Sequence, residues 1–254
     1  MNHDTILAQL NLWAVLPNLE ELVRLDATAA DMVRDWNICI QFGVPGGPAA
    51  FVRFANGACE TGTGKHPAPD VRLMFVSCRH INAMFENKGI PIPLKGFTRL
   101  GFLSKEFSAI TKRMEYFLKP TDALLENADY AAVNTLLTLH TAGRAVSILA
   151  GTDPQSRAVA SGMPDGALMM KVLPDGPAVT LNVEKGRLSM QKGETRQPAA
   201  TLVMKDMATA NRLLNQKIDP FTAIALGDVK IRGLVPMIDA VDLLLDRIPH
   251  YLKP

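Results

Sequence analysis

Alternation of apolar and polar positions marks two β-rich stretches of this chain, each joined internally by a turn that contains Pro and Gly. The first stretch covers Ile38 to Phe54 and the second covers Leu168 to Val183. Sequence with helical spacing precedes each of them, from Leu19 to Trp36 and from Ala131 to Ala150. The pattern predicts that one succession of helix and β-hairpin occurs twice.

The second stretch continues into further predicted strands at Arg187 to Met190 and at Ala200 to Met204. Helical spacing replaces the alternation after Asp206, which is a favourable helix N-cap. Another short helix is predicted to begin at Asp219-Pro220, because Pro is favoured at the first helical position. A fifth strand is predicted from Asp228 to Arg232.

Each half of the chain ends in a predicted amphipathic helix. Apolar residues recur at helical spacing from Phe107 to Leu118 and from Met237 to Ile248, with charged residues on the opposite face. Hairpin-connected strands followed by helices are typical of an α+β layer arrangement. We therefore predict an α+β fold with two tandem copies of a five-stranded, mostly antiparallel sheet covered by helices.

The two halves also align residue by residue. Residues 37 to 103 meet residues 166 to 232 without a gap at an offset of 129 (186 minus 57), and eleven of the 67 pairs are identical. Ordinary residue usage would give about four identities. Most of the identical residues are Gly or Pro, which set backbone geometry. The eleven are Pro45, Gly47, Pro48, Ala49, Gly57, Gly64, Pro69, Leu73, Asn82, Lys88 and Pro91.

This repeat predicts a duplicated domain, with a first copy over residues 1–120 and a second copy over residues 121–254. The same alignment places Thr98 opposite Gly227 and Ser104 opposite Gly233. The first copy is therefore expected to be the divergent one.

Charge argues against a nucleic-acid partner, because 27 Lys and Arg residues face 25 Asp and Glu residues and no basic stripe with interleaved aromatics is present. No apolar run reaches the roughly 18 residues that a membrane-spanning helix needs. The N-terminal residues carry Asp4 and no cation before Arg24, which does not fit a secretory signal. The terminal Leu252-Lys253-Pro254 differs from a peroxisomal Ser-Lys-Leu signal. We expect cytoplasmic residence.

Candidate catalytic and metal motifs fail on inspection. Gly62-Thr63-Gly64-Lys65 is similar to the end of a phosphate-binding loop, but Cys59 stands where that loop needs its first glycine. The five histidines show no H-E-x-x-H spacing, and no G-x-S-x-G elbow occurs. Cys39, Cys59 and Cys78 lack metal-ligand spacing and are expected to be structural. The sequence predicts no catalytic residue and no metal.

The second half carries a specific succession of segments. It runs through Val179 to Gly186, Ala200 to Met204 before Asp206, Leu213 to Ala223, and Leu226 to Gly233. With this succession the chain from Asp175 to about Ile248 resembles the sterol carrier protein type 2 family of lipid-binding domains. The resemblance implies a five-stranded sheet capped by helices, and an apolar tunnel for sterols, fatty acyl chains, phospholipids or isoprenoid-like ligands, with no cofactor.

The candidate walls of such a tunnel are apolar residues of the second copy. They are Met204, Leu213, Leu214, Ile218, Phe221, Ile224, Ile231, Met237, Val241 and Leu244. A filled core would use the same residues, and only volume separates the two cases, since a ligand site needs about 300 to 1,000 Å³.

We therefore expect a non-catalytic protein that carries an apolar small molecule, such as a sterol, a fatty acid, a phospholipid or a quinone-like compound. Transient membrane contact and a partner enzyme are compatible with this expectation. The alternative is an accessory protein that recruits an enzyme of lipid or quinone metabolism, which predicts a filled core and a large exposed apolar patch. A third hypothesis, an enzyme, predicts a cleft with His140 or Tyr130 beside a buried carboxylate.

Overall fold

A computed structural model describes residues 1–252 of the 254-residue chain. Lys253 and Pro254, which belong to the terminal tripeptide considered above, lie outside the described residues. The chain divides into two compact units, Met1–Lys119 and Pro120–Pro254, here called the first and second unit. Each unit contains one five-stranded sheet together with helices. The predicted α+β class is confirmed.

The first unit consists of six α-helices, five strands and three short helical turns of other types. The helices are α1 (His3–Leu10), α2 (Asn18–Leu25), α3 (Ala27–Val33), α4 (Cys78–Phe85), α5 (Leu100–Phe102) and α6 (Ser108–Leu118). The strands are β1 (Ile38–Gly43), β2 (Ala49–Ala55), β3 (Ala58–Thr63), β4 (Val71–Met74) and β5 (Ile92–Lys95). The turns are π-helical at Asn11–Val15 and Leu103–Phe107 and 3-10 at Phe97–Arg99.

The second unit repeats the order of three helices followed by four strands, with a longer second helix, and has one additional helix before its last strand. The helices are α7 (Asp122–Leu125), α8 (Ala128–Thr152), α9 (Pro154–Ser161), α10 (Met207–Leu214), α11 (Pro220–Ala225) and α12 (Val235–Leu245). The strands are β6 (Gly166–Val172), β7 (Ala178–Glu184), β8 (Arg187–Lys192), β9 (Ala200–Met204) and β10 (Val229–Gly233). A 3-10 turn follows at Ile248–His250.

The two sheets share one connectivity. The spatial order is β3-β2-β1-β4-β5 in the first unit and, read from the other edge, β8-β7-β6-β9-β10 in the second. Three neighbouring pairs in each sheet are antiparallel, while β1 with β4 and β6 with β9 are parallel. A parallel pair needs a long crossover, and the hairpin strands between its members supply that length.

Strand register corrects the alignment at the first hairpin. Leu73 pairs with Phe42, and its counterpart Leu202 pairs with Met170, so Phe42 and Met170 occupy the same place. The offset along β1 and β6 is therefore 128 (170 minus 42), one less than the offset of 129 along β2 and β7. The second unit has one additional residue in its hairpin turn, where the Leu173-Pro174 peptide bond is cis.

A larger correction follows the fourth strand. A Cβ atom on Gly96 would lie 2.8 Å from the Asp70 carbonyl oxygen, and one on Gly233 would overlap the carbonyl oxygen of Ala199. Asp70 and Ala199 are matched at the offset of 129, so Gly96 corresponds to Gly233 at an offset of 137 (233 minus 96). The second unit is eight residues longer here, and its extra segment includes α11.

The gapless alignment is thus wrong after Lys88. Gly96 and Gly233 both have a left-handed backbone, with φ of 85° and 88°, so the first unit keeps this glycine and Ser104 does not replace it. The match of Pro91 to Pro220 is also coincidental, because Pro220 begins α11 while Pro91 precedes β5. Insertions cannot be located by an alignment that rests on so few identical residues.

One matched polar residue has a clear structural role. The side-chain amide of Asn82 on α4 donates to the Asp4 carbonyl oxygen of α1 at 2.9 Å. Its counterpart Asn211 on α10 donates to the Ala131 carbonyl oxygen of α8 at 3.3 Å and to the side chain of Asn134 at 2.9 Å. These buried bonds fix the helix after the fourth strand against the opening helix of each unit.

We expect that Gly233→Ala lowers the free energy of unfolding by about 2 to 4 kcal/mol, because a left-handed residue acquires a Cβ atom with no space for it. Gly193→Ala is the matched control, because Gly193 has φ of 92° and its added methyl group would meet nothing within 4 Å, so it should cost only about 1 to 2 kcal/mol. Urea denaturation of both variants measures the difference. Equal destabilisation would contradict the proposed close approach.

Candidate ligand-binding site

The second unit has one apolar cluster, formed by its sheet and helices, that brings most candidate wall residues together. Four of them are buried in it, namely Met204, Met237, Val241 and Leu244. Five are partly buried and pack against it, namely Leu213, Leu214, Ile218, Ile224 and Ile231. The structure does not bring Phe221 into this group, because its side chain is 77% exposed on α11.

A row of paired residues crosses the sheet on the side of this cluster. Val179, Met170, Leu202 and Ile231 are neighbours on β7, β6, β9 and β10, and paired residues of adjacent strands share a face. Val179 and Met170 are buried, whereas Leu202 and Ile231 are only half-buried. The accessible part of the apolar face therefore lies at the β9–β10 edge.

Sequence reasoning missed Met170, Leu202 and Leu168 as members of this cluster. The signal was present, since apolar residues alternate at Leu168 and Met170 on β6 and again at Leu202 and Met204 on β9. Alternation identifies the buried face of a strand, but it does not say which part of that face stays accessible.

Four positions of the first unit that are equivalent to apolar positions of this cluster carry aromatic rings. Phe42 stands in the place of Met170, as the strand register shows. Three further correspondences follow from strand pairing and from the aspartate contacts described below. They are Phe54 with Val183, Phe75 with Met204, and Phe107 with Val241.

These rings form a packed interior in the first unit. Trp36 makes edge contacts with Phe54 and Phe102 at centroid distances of 5.0 and 4.8 Å. Phe107 lies 6.1 Å from Phe42 and 6.3 Å from Phe54. By contrast, the described buried cluster of the second unit contains only aliphatic side chains and methionines. At these matched positions the framework therefore holds aromatic rings in the first unit and aliphatic or methionine side chains in the second.

The extra segment of the second unit covers part of the cluster. Asp219 caps α11 by accepting a hydrogen bond from the Thr222 amide at 2.9 Å, and the hydrogen bonds of the Thr222 side chain and amide lower the pKa of Asp219. Only Ala223 is buried, with Ile224 partly buried against the cluster. A six-residue helix with so few buried contacts is a locally weak part of the structure.

A buried aspartate fixes the closing helix of the second unit. Asp153 caps α9 by accepting hydrogen bonds from the Ser156 amide at 2.9 Å and the Ser156 hydroxyl at 2.8 Å. The same carboxylate accepts from the Arg247 guanidinium at 3.2 and 3.3 Å and from the Tyr251 hydroxyl at 2.7 Å. Arg247 and Tyr251 follow α12, so Asp153 joins the opening helices to the closing one.

The first unit contains an equivalent contact between an aspartate and an arginine. Asp26 caps α3 through the Ala29 amide at 2.8 Å and pairs with the Arg113 guanidinium at 2.7 and 3.0 Å. Phe117 takes the place of Tyr251, and the Arg113 guanidinium lies 4.9 Å from the centroid of its ring. The two aspartates were not identified in the sequence, because their partners lie 87 and 94 residues away.

Burial by itself would raise the pKa of Asp153, but the hydrogen bonds from Ser156, Tyr251 and Arg247 outweigh it and hold the pKa well below its usual value. Burial and the neighbouring carboxylate raise the pKa of Tyr251. Burial would also raise the pKa of Asp26, but the hydrogen bonds from the Arg113 side chain and the Ala29 amide lower it below its usual value. Both carboxylates are therefore ionised at neutral pH.

The remaining candidate groups of the sequence are the three cysteines, His140 and Tyr130. Burial raises the pKa of the Cys39 thiol to about 11, and Cys39, Cys59 and Cys78 are free. Cys39 corresponds to Ala167, and not to Leu168 as the gapless offset of 129 would place it, because of the register difference at the hairpin. His140 and Tyr130 are both buried on α8. Within residues 1–252, no group of three His, Cys, Asp or Glu residues could hold a metal ion, and no helix is long and apolar enough to cross a membrane.

We expect Asp153→Asn to lower the free energy of unfolding at pH 7 by about 3 kcal/mol, because a buried ion pair loses one partner. The folded-state pKa of Asp153 is lowered, so its contribution is fully present above the unfolded pKa of about 3.9 and is lost as the pH falls towards the folded value. The deficit of the variant should therefore shrink between about pH 4 and pH 2. Denaturant titrations across this range measure it, and a deficit that is constant with pH would refute the assignment.

No family model and no curated protein matches this chain. Solved structures do: a structure of sterol carrier protein 2 is 22% identical, covers 41% of this chain and 91% of its own, and has a TM-score of 0.35. Sterol carrier protein domain 2 of Helicoverpa armigera is 16% identical, with 46% and 92% covered and a TM-score of 0.35. A structure described as a UbiJ-SCP2 ubiquinone synthesis protein is 14% identical, with 39% and 88% covered and a TM-score of 0.32. The chain is thus similar, over less than half its length in each match, to structures of the sterol carrier protein 2 kind.

Proposed function

We propose that the second unit binds one apolar molecule between the β9–β10 edge of its sheet and the helices α10, α11 and α12. The ligand class is a sterol, a fatty acyl chain, a phospholipid or an isoprenoid-like compound such as a quinone. The protein holds and carries this molecule without making or breaking a bond.

One observation carries the proposal, namely the contrast between the two interiors. Where the first unit has Phe42 and Phe75, the second has Met170 and Met204 on the same framework. Unbranched, flexible methionine side chains adapt to ligands of different shape, whereas aromatic rings fill an interior rigidly. The half-buried Leu202 and Ile231 mark where such a ligand would contact the sheet.

The driving force in this proposal is desolvation. Each buried methylene contributes about 0.8 kcal/mol, so about ten methylenes supply about 8 kcal/mol before the cost of association. The predicted walls share this role, with Met204, Met237, Val241 and Leu244 at the base and the partly buried residues of α10, α11 and β10 around them. Phe221 is proposed to contact the ligand at the mouth, because it is exposed on the weakly anchored α11.

The first unit is proposed to bind no ligand inside, since its aromatic interior occupies the corresponding space. An accessory protein without a ligand would be expected to have a filled core in both units. The adaptable methionines and the half-buried Leu202 and Ile231 of the second unit support the carrier proposal. We also place the protein in a cytosolic compartment, where free thiols such as those of Cys39, Cys59 and Cys78 are maintained.

Solvent extraction of the purified full chain followed by mass spectrometry should identify an apolar molecule at about one per chain. The chain should also bind a fluorescent fatty acid with a dissociation constant in the micromolar range, which corresponds to a binding free energy of about −8 kcal/mol. Absence of both an extracted lipid and of probe binding would contradict the carrier function and favour the accessory alternative.

We expect that Met170→Phe combined with Met204→Phe reduces binding of the fluorescent fatty acid at least about tenfold, because rings replace adaptable side chains at the base of the site. The matched control exchanges the residues of the first unit in the opposite direction, Phe42→Met with Phe75→Met. That control should retain the affinity for the probe. Equal loss in both double variants would place the effect outside the second-unit interior.

A further inference from the structure

The first unit exposes a concentrated run of large apolar side chains. Between residues 90 and 100 the exposed fractions are 83% for Ile90, 39% for Ile92, 49% for Leu94, 63% for Phe97 and 42% for Leu100. None of the residues from 97 to 107 is buried, although apolar residues are frequent among them. Contiguous exposed apolar surface of this kind usually marks a binding surface. We call residues 90–105 the docking segment.

The charge of this segment has one sign. It contains Lys95, Arg99 and Lys105 and no Asp or Glu. Lys95 donates to the Pro69 carbonyl oxygen at 2.5 Å, while Arg99 and Lys105 form no ion pair within the described part of the chain. Cations placed among exposed apolar side chains are complementary to a surface that is apolar inside and anionic outside.

The backbone of the segment disfavours a partner strand. β5 is the edge strand of its sheet, and an edge strand can pair with another chain through its free amide groups. Pro91 and Pro93 have no amide hydrogen, so this edge cannot form a continuous ladder with a second copy or with a peptide. Its side chains are therefore the groups of this segment that can contact a partner.

The local geometry suits the surface of a bilayer. Gly96, with φ of 85°, reverses the chain between β5 and the helical turns that begin at Phe97. Ile90 precedes β5, Leu94 lies on β5 and Phe97 begins the helical turns, so these side chains do not belong to one helix. The long side chains of Arg99 and Lys105 can extend to headgroups while the apolar tips enter the interface.

We propose that the docking segment binds the first unit to the surface of an anionic lipid bilayer. In the second unit most of the exposed large apolar residues are distributed over α11, Leu234–Val235 and α12, and Phe221 and Leu226 lie within two residues of Asp219 and Asp228 in the sequence. The proposal assigns a role to the unit whose interior is filled. It does not depend on ligand binding by the second unit.

The test is cosedimentation of the full chain with vesicles of phosphatidylcholine alone or with about one third phosphatidylglycerol. Binding is expected on the anionic vesicles and should weaken as salt is raised from about 0.1 to about 0.5 M, because screening shortens the range of the attraction. Ile90→Ser combined with Phe97→Ser should lower the partition coefficient more than about tenfold. Arg99→Gln combined with Lys105→Gln should lower it about 25-fold, about fivefold for each cation.

Leu226→Ser combined with Leu243→Ser is the matched control, because both residues are exposed apolar positions of the second unit. This control should retain vesicle binding, and all variants should retain binding of the fluorescent fatty acid. Vesicle binding that is unchanged in both docking-segment variants would overturn the proposal. Failure of the full chain to bind anionic vesicles would also overturn the proposal. If sedimentation then shows a dimer that Phe97→Ser dissociates, the docking segment joins two copies of the chain instead.

Discussion

The contact between an aspartate, buried in the second unit and half-buried in the first, and an arginine near the closing helix holds each unit of this protein together. Asp26 and Asp153 each cap a helix of the opening group and accept hydrogen bonds from Arg113 and Arg247 respectively. An amphipathic closing helix covers a sheet only if something fixes where it ends. A carboxylate that is ionised and surrounded by donors meets this requirement, because loss of its arginine partner would leave a poorly solvated charge without a counter-charge.

Within that constraint, the framework permits different interiors. Strand order and the close approach of the backbone at Gly96 and Gly233 are the same in the two units, while the register differs by a shift between β4 and β5. Side chains that point into the interior do not contribute to strand hydrogen bonds, so they can change without altering the topology. At matched positions the first unit has aromatic rings where the second has methionines and aliphatic residues, and this difference distinguishes the candidate binding site of the second unit.

The units also differ where the chain is least constrained. After the fourth strand the second unit inserts the segment with α11, which rests on the apolar cluster through only a few side chains. The first unit has a direct connection to a proline-containing edge strand, and its apolar side chains face outward. Covering the interior and exposing an apolar surface are thus alternative uses of the same part of the fold.

The sequence by itself determined the class of fold and the order of most strands and helices. Nine of the ten residues that it predicts as walls of a ligand site belong to one apolar cluster or pack against it. Periodicity records which face of an element is buried, and the repeated Gly and Pro positions record turns that few other residues can adopt. The sequence could not locate the fifth strand of the first unit, because the first unit is eight residues shorter after its fourth strand. The equivalent of Gly233 is therefore Gly96 and not residue 104. Only the tertiary structure decided that Phe221 lies outside the cluster and that Leu202 and Ile231 stay accessible. These properties depend on what covers a residue from distant parts of the chain, which local pattern does not encode.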